Sequence, residues 1–587
     1  MRLRAITYQF VLPLVPPPPP SADGWMPTPT GFKGNFNAKQ KIIKTNQRYC
    51  RSKRIKIKVY LSTQSYLAPN VLQTVFKSKS GECSITDFLA LGKNRLIREI
   101  KSDVKITVYI RPKFEYGRYD PIITKSENGA LFSYAQGKDM LKFTIRNLKV
   151  LEEKEGTLWV IAPGFGRVEL EYYADRSELD SQSLEIGEDS QILERTVNYW
   201  RNVLSAEIAE ERVELPRRIP EELRNAFTIS LSTIFGLTYA PSGGIIAAPT
   251  TSLPEQPGGF RNWDYRYVWV RDASIMAKSL LNAGFSANAR RLLEFLIGVM
   301  GYSGKPFNPI YTVGGLKPAF ERQIAWLSGA MNSKPVRIGN SASLQIQLDA
   351  EGYFMDLAYS LCEATNDYTL PKTNWNAIER AVSWVSENWQ LSDCGIWEEP
   401  FPAEFTYSKF MMWVCLDRAL KLSDKIGNKL EGLKQTMDHI RQWIMDNCVK
   451  EGSFVRASFS DEVDASLLML PIYGFVSFDD AIFKKTLERI EKDLVVDGFV
   501  YRYKNYEIGR ANNPFSLCSS WLSYVYANIG RIDDAKNIIS NLINISGPLK
   551  LLGEHVDYKN SSFLGNFPQG FAHAGVVSAL LEIAKRI

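Results

Sequence analysis

Between residues 55 and 180 apolar and polar positions alternate with a period of two. IKIKVYL (55–61), VKITVYI (104–110), LKFTIRNL (141–148) and RVELEYYA (167–174) all carry the pattern. Successive side chains of a strand point to opposite faces, so this alternation predicts half-buried antiparallel strands. Turn signals such as ENGA (127–130) fall between them, and the segment is expected to form a β-sandwich. After residue 216 the period becomes helical, as in ELRNAFTISLSTIF (222–235), YFMDLAYSLCEA (353–364), NAIERAVSWVSENW (376–389), FMMWVCLDRALKL (410–422), KKTLERIEKDL (484–494) and GVVSALLEIAKRI (575–587). The chain therefore divides into an irregular head (1–54), a β-sandwich (55–180), a linker (181–215) holding the helix ILERTVNYWRNVL (192–204), and a helical domain (216–587). About a dozen helices suit a closed toroid of paired helices, because an open solenoid would show a recurring sequence period and none is found. In a toroid the loops at one end of the helices converge, so the chemistry is expected in loops.

Composition narrows the function. With 587 residues, 45% apolar and 12% aromatic, the chain is not an intrinsically disordered protein. No run of about 18 apolar residues predicts a membrane span. The formal charge of +7 sits in the head, where residues 1–60 hold twelve Lys/Arg against Asp23 alone, while the remainder carries four more acids than bases. A nucleic-acid or membrane partner is thus not expected of the body of the protein. The seven cysteines (50, 83, 362, 394, 415, 448, 518) contain no CxxC pair, and the histidines (439, 555, 573) show no zinc spacing. No metal or cofactor is expected. The cysteines favour a reducing, cytoplasmic setting, with secretion left open. The short apolar stretch Phe10–Val15 runs into Pro16–Pro20 without a small-residue cleavage motif, which speaks against a signal peptide.

Three loops carry unusual chemistry. GGFRNWDYRYVWVRDAS (258–274) interleaves Trp263, Tyr265, Tyr267 and Trp269 with Arg261, Asp264, Arg266, Arg271 and Asp272. Flat rings cover the apolar faces of sugars while Arg and Asp make directional bonds to hydroxyls, so this mixture suits a sugar site. CGIWEEPFPAEFTYSKFMMW (394–413) sets Glu398 and Glu399 between Trp397 and Pro400; an indole beside a carboxyl desolvates it and favours a general acid. LLGEHVDYKNSSFLGNFPQGFAHAG (551–575) holds Glu554, with Asp557 as a second candidate acid. His555 and His573 lack any accompanying nucleophile motif and read as structural. Two carboxyls from different loops, with aromatic and Arg/Asp groups, form the pattern of glycoside hydrolysis.

The same segments resemble glycoside hydrolase family 15, the glucoamylase-like enzymes that include glucodextranases and microbial trehalases. The likeness lies in RNWDYRYVWVRDAS (261–274), PVRIGNSASLQIQLDAEG (335–352), GIWEEP (395–400) with SKFMMWVCLDRA (408–419), VDASLLMLP (463–471) and GNFPQGFAHAG (565–575), and upstream in YLAPNVLQTVF (66–76) and RPKFEYG (111–117). It implies an N-terminal antiparallel β-sandwich followed by a catalytic (α/α)6 barrel, without a metal. By position it implies Glu398 as general acid, Glu554 as general base, and Trp269, Arg271 and Asp272 as the grip on the non-reducing-end glucose. Tyr265 would line the same subsite, and Trp397 and Glu399 would be substrate-binding neighbours.

The activity this implies is an inverting, exo-acting release of β-glucose from α-glucans or maltooligosaccharides. The alternative is an α,α-trehalase using the same pair of carboxyls. GIWEEPFP replaces the more frequent GIWEVRG-type continuation, which places the difference at the leaving-group side. A non-catalytic glucan-binding relative is the third reading, and the presence of both Glu398 and Glu554 argues against it.

Overall fold

The computed structural model describes Leu3–Arg4 and residues 59–182, 191–206, 215, 218–303, 307–504 and 513–587. The irregular head expected over 1–54 lies outside them except for Leu3–Arg4, which pair in parallel with Ile106–Thr107. The described chain forms two compact units, one running up to Ala206 and taking in Gly547–Leu549, the other comprising the remainder.

The first unit is an antiparallel sheet domain. Its eight-stranded sheet runs, neighbour by neighbour, through Val59–Ala68, Val71–Ser78, Gly81–Leu89, Arg95–Ser102, Gly164–Tyr173, Met140–Arg146, Gly129–Ser133 and Ile122–Ser126. The ENGA turn closes the last hairpin, with Ser126 opposite Gly129. A smaller sheet contains Ile106–Tyr109, Leu158–Ile161 and Val150–Lys154. One apolar core joins the two: Ile85, Ile100, Phe132 and Phe143 from the large sheet meet Ile106, Trp159 and Ile161 from the small one. After a short helix α1 (Arg176–Gln182), helix α2 (Ile192–Ala206) lays Ile192, Leu193, Val197 and Trp200 against Val71, Phe88 and Ile97 of the large sheet. Its apolar residues at helical spacing are thus buried on the sheet.

The second unit is helical. Its helices are α3 (Glu221–Leu237), α4 (Val270–Asn282), α5 (Ser286–Ser303), α6 (Ala350–Thr365), α7 (Thr369–Thr373), α8 (Trp375–Asn388), α9 (Thr406–Ile426), α10 (Leu433–Asn447), α11 (Met469–Ile472), α12 (Ala481–Leu494), α13 (Ser516–Asn528), α14 (Ile532–Ile545) and α15 (Gly570–Arg586). Two classes follow from their sequences. Helices α4, α6, α9, α13 and α15 are buried on almost every side, whereas α8, α10, α12 and α14 bury one apolar stripe and expose the other. The buried class packs in succession, α13 on α15, α15 on α4, α4 on α6 and α6 on α9, with α5, α10 and α14 against α4, α9 and α13. Local signals set the ends: Asp480 caps α12 by accepting from the Ile482 and Phe483 amides, and α9 stops at Gly427, whose φ of 82° suits a residue without Cβ. Among the described residues, no helix is long and apolar enough to cross a membrane.

Candidate active site

The chemistry-bearing side chains collect where helices begin. Trp269 immediately precedes α4, whose first turn holds Arg271 and Asp272. Asp349 precedes α6, and Glu398 and Glu399 lie in the stretch before α9. Asp464 caps the short turn Ala465–Leu468, Phe515 precedes α13, and Glu554 and His555 lie on the stretch leading to α15. Unpaired amides at helix starts favour the negative charge these loops carry.

Glu398 is the better exposed of the two predicted acids, with its side chain 27% accessible against 4% for Glu554. Its backbone is left-handed, φ 58°, in a turn closed by its amide on the Gly395 carbonyl. A non-glycine residue holds that conformation only when its surroundings require it. Trp269 Nε1 donates to Glu398 Oε1 at 2.7 Å and Arg271 Nη2 donates to the same oxygen at 3.2 Å. No hydrogen bond among the described residues reaches Oε2. Arg271 is a junction: Nη1 also reaches Gln347 Oε1 (2.9 Å) and Asp349 Oδ2 (3.2 Å), and Nε lies 3.3 Å from Asp272 Oδ1. Burial pushes the Asp272 carboxyl up to about 7; Arg271 opposes the shift, and Glu398 and Glu554 add to it.

Glu554 is gripped from two sides. Tyr265 donates its hydroxyl to the carboxylate, 3.0 Å from Oε1 and 3.2 Å from Oε2, while His555 Nε2 lies 3.3 Å from Oε2. Burial, and then Glu554, raise the Tyr265 phenol well above its ordinary value, so it remains a donor. Tyr265 also packs edge-on against Trp269, centroids 5.5 Å apart, which connects the two acids.

The second connection runs through Glu255 and Arg502, which the sequence did not single out, and through His555, which it read as structural. His555 Nε2 lies 3.3 Å from Glu255 Oε2, and Arg502 Nη2 lies 3.5 Å from the same oxygen. The Arg502 guanidinium stands over the Trp397 ring, 5.9 Å from its centroid, and Trp397 adjoins Glu398 in the chain. The contacts thus form a circuit, Glu398–Trp269–Tyr265–Glu554–His555–Glu255–Arg502–Trp397, with the two acids on different arms. A pocket beside it is lined by Glu255, Gln256, Arg261, Arg502, Asn513 and His555.

All eight predicted site residues lie in or beside this network, though not always with the expected partner. The indole that bonds Glu398 is Trp269, not its neighbour Trp397, whose Nε1 donates to Asp464 Oδ2 at 2.8 Å. Glu399 is buried, its carboxylate 3.6 Å from Arg456 Nη1. Asp557 accepts from Asn560 in a surface turn. His573 is fully buried, taking the Leu552 amide on Nε2 (3.1 Å) with Nδ1 2.9 Å from Ser230 Oγ. Of the groups missed, Gln347 and Asp349 lie inside the PVRIGNSASLQIQLDAEG segment and were within reach of pattern reading, whereas Glu255, in TSLPEQPGG, looks like an ordinary turn acid.

Among the described residues, Glu255, Glu554 and His555 bring ligand-type atoms within 4.8 Å of one another. Arg502 and Arg261 already face Glu255, which with His555 holds its carboxyl down at about 2 against the effect of burial. That charge is matched without an ion.

Comparison with known proteins bears on the same residues. Residues 224–581 match the family model described as Glycosyl hydrolases family 15. Trehalase 1 of Sulfolobus acidocaldarius is 41% identical over 526 residues, covering 89% of this chain and 88% of that protein. Trehalase 2 of the same organism is 40% identical over 521 residues, covering 87% and 88%. In three dimensions a crystal structure of a bacterial glucoamylase complexed with acarbose aligns with a TM-score of 0.69 at 14% identity, over 90% of this chain and 86% of that one. The fold is therefore glucoamylase-like, with an antiparallel sheet domain preceding a helical region.

Proposed function

The chain belongs to glycosyl hydrolase family 15, and from that premise we propose that this glycoside hydrolase is an inverting α,α-trehalase. The observation that carries the choice is its likeness to trehalases along nearly the whole chain, sheet domain included. The expected glucan-releasing exo-glucosidase yields to it, because the glucoamylase likeness, at such low identity, speaks for the fold alone.

In this reading Glu398 is the general acid. Its two donors converge on Oε1, which leaves Oε2 to carry the proton toward the glycosidic oxygen. Glu554 is the general base: it takes a proton from water as the water oxygen attacks the anomeric carbon, the C–O bond to the second glucose breaks, and Glu398 protonates the departing oxygen. Arg271 and Asp272 grip hydroxyls of the attacked glucose; Asp272 Oδ1 lies 3.3 Å from Arg271 Nε but accepts no hydrogen bond among the described residues, which leaves it capacity for a sugar hydroxyl. Trp397 and Glu399 flank the leaving glucose.

The helical region is proposed to close as an (α/α)6 barrel. Its inner ring would be α4, α6, α9, the segment Ala465–Ile472, α13 and α15. The contacts of the Ala465–Leu468 turn with both α9 and α13 support that closure.

Inversion at one carbon of α,α-trehalose releases one β-glucose and one α-glucose. Incubation with trehalose, maltose, isomaltose and starch, followed by proton NMR before mutarotation, tests both claims. Trehalose should be cleaved fastest, with the two anomers initially equal. Starch hydrolysis without trehalose cleavage would restore the exo-glucosidase, and α-glucose alone would overturn inversion.

A further inference from the structure

His555 is buried on a paired strand with its ring packed between neighbours. Its strand His555–Asp557 pairs with Ser562–Leu564, and the next amide, Val556, donates to the Pro514 carbonyl at 2.9 Å. The imidazole stands edge-on to Phe515, centroids 5.2 Å apart, and the residue is 2% exposed. From this position Nε2 lies 3.3 Å from a carboxylate oxygen of Glu255 and equally far from one of Glu554. Neither contact is an aligned hydrogen bond, but a lone pair there would face two acceptors, whereas an N–H between them forms an ionic bridge.

Glu255 is the anchored end of that bridge. Trp263 Nε1 donates to its Oε1 at 3.0 Å, Arg502 and Arg261 approach its Oε2 at 3.5 and 3.8 Å, and Asn513 Nδ2 holds its carbonyl at 3.0 Å. Among the described residues the Glu554 carboxylate, by contrast, accepts hydrogen bonds from the Tyr265 hydroxyl alone, 3.0 Å from Oε1 and 3.2 Å from Oε2. We propose that His555 is a positioning residue for the base, its imidazole set as an ionic bridge between the Glu554 carboxylate and the anchored Glu255 so that the attacking water is met in one orientation. The proposal rests on the reading of Glu554 as general base.

Two further features agree. Glu255 and Glu554 face the imidazole, while Arg502 and Arg261 face Glu255 and Tyr265 faces Glu554; burial opposes a charge on the ring, but the two carboxylates outweigh it and keep the imidazole protonated to higher pH than usual. Opposite the bridge stands Gly565, where a Cβ would come 3.2 Å from Glu554 Oε2 and 3.4 Å from the His555 ring. Base and imidazole therefore have little room to reorient.

The test compares His555→Asn, His555→Gln, Glu255→Gln and Glu554→Gln in the full chain, measuring kcat, KM and melting temperature with trehalose. The amide of Gln reaches about as far as Nε2, whereas that of Asn reaches only as far as Nδ1. The close contact to the Glu554 carboxylate is lost in His555→Asn, so kcat should fall about 10–100-fold with KM within about twofold of wild type. His555→Gln should recover most of that rate. Glu255→Gln, which leaves the imidazole in place but weakens its anchor, should show the same split and serves if His555→Asn does not fold. Wild-type kcat in His555→Asn, or losses that follow melting temperature equally in the Asn and Gln variants, would overturn the proposal. Glu554→Gln separates the failures: full activity there removes the base itself, whereas an inactive Glu554→Gln beside a fully active His555→Asn removes only the tether.

Discussion

In the proposed mechanism the side chain that protonates and the one that deprotonates respond differently to the leaving group. When the C–F bond of α-glucosyl fluoride breaks, fluoride departs as a weakly basic anion that needs no proton, so Glu398→Gln should lose about 10²–10⁴-fold on trehalose and far less on the glucosyl fluoride. Glu554→Gln should lose a comparable factor on both, because water must be activated in either reaction. Initial rates with the two substrates decide this; equal losses on both in Glu398→Gln would remove its role as acid. Trp269→Phe gives a smaller effect. It keeps the ring against Tyr265 but deletes the 2.7 Å donor to Glu398 Oε1, a bond to an ionisable group worth about 1–3 kcal/mol, and kcat should fall accordingly by roughly 10–100-fold. Should the Phe variant match wild type, the indole N–H has no part in setting the Glu398 proton.

At the scale of elements, the turn before α15 should prove as constrained as the loops bearing the acids. Gly565 has φ 84° and Gly427 has φ 82°, so alanine at either costs about 1–2 kcal/mol of backbone strain. Only at 565 does the new Cβ meet functional atoms; at 427 nothing lies within 4 Å. Both variants should melt at similarly lowered temperatures, and only Gly565→Ala should also lose turnover. The contrast reflects what pattern reading reaches. The stretch LKFTIR (141–146) alternates apolar and polar residues and was legible, whereas Val71–Ser78 begins with two buried neighbours, Val71 and Leu72, and its periodicity is blurred. Helix α13 (SLCSSWLSYVYAN) is buried on nearly all sides, with serines inside, and so lacks the stripe that marks α12. In the site, Tyr265, Trp269, Arg271 and Asp272 stand in one dense motif. Glu255 and Arg502 sit 247 residues apart, in segments of ordinary composition, and only the fold makes them neighbours.

Across the whole molecule, buried acids set how stability follows pH. Burial raises Asp272 and Asp393 to about 7 and Glu351 to about 8, while in the unfolded chain such groups titrate near 4. From about pH 5 to 8 the folded chain retains protons that the unfolded chain has released, so stability falls as pH rises, by about 1.4 kcal/mol per pH unit for each proton retained. His573 opposes this: burial lowers its imidazole to about 3, so below about pH 6.5 the unfolded chain binds a proton that the folded chain refuses. One such group against three carboxyls leaves the direction unchanged, and Glu255, held down at about 2, acts only below about pH 4.5. The melting temperature should therefore be higher at pH 5 than at pH 8. Glu351 isolates the cause. Its Oε1 accepts the Phe307 amide at 2.9 Å and its Oε2 has no hydrogen-bond partner among the described residues, so glutamine preserves the one bond and removes the titration. Glu351→Gln should flatten the dependence between pH 5 and 8 by about one proton. A slope identical to wild type would mean that Glu351 is already ionised throughout that range, with its negative charge tolerated inside the helical core.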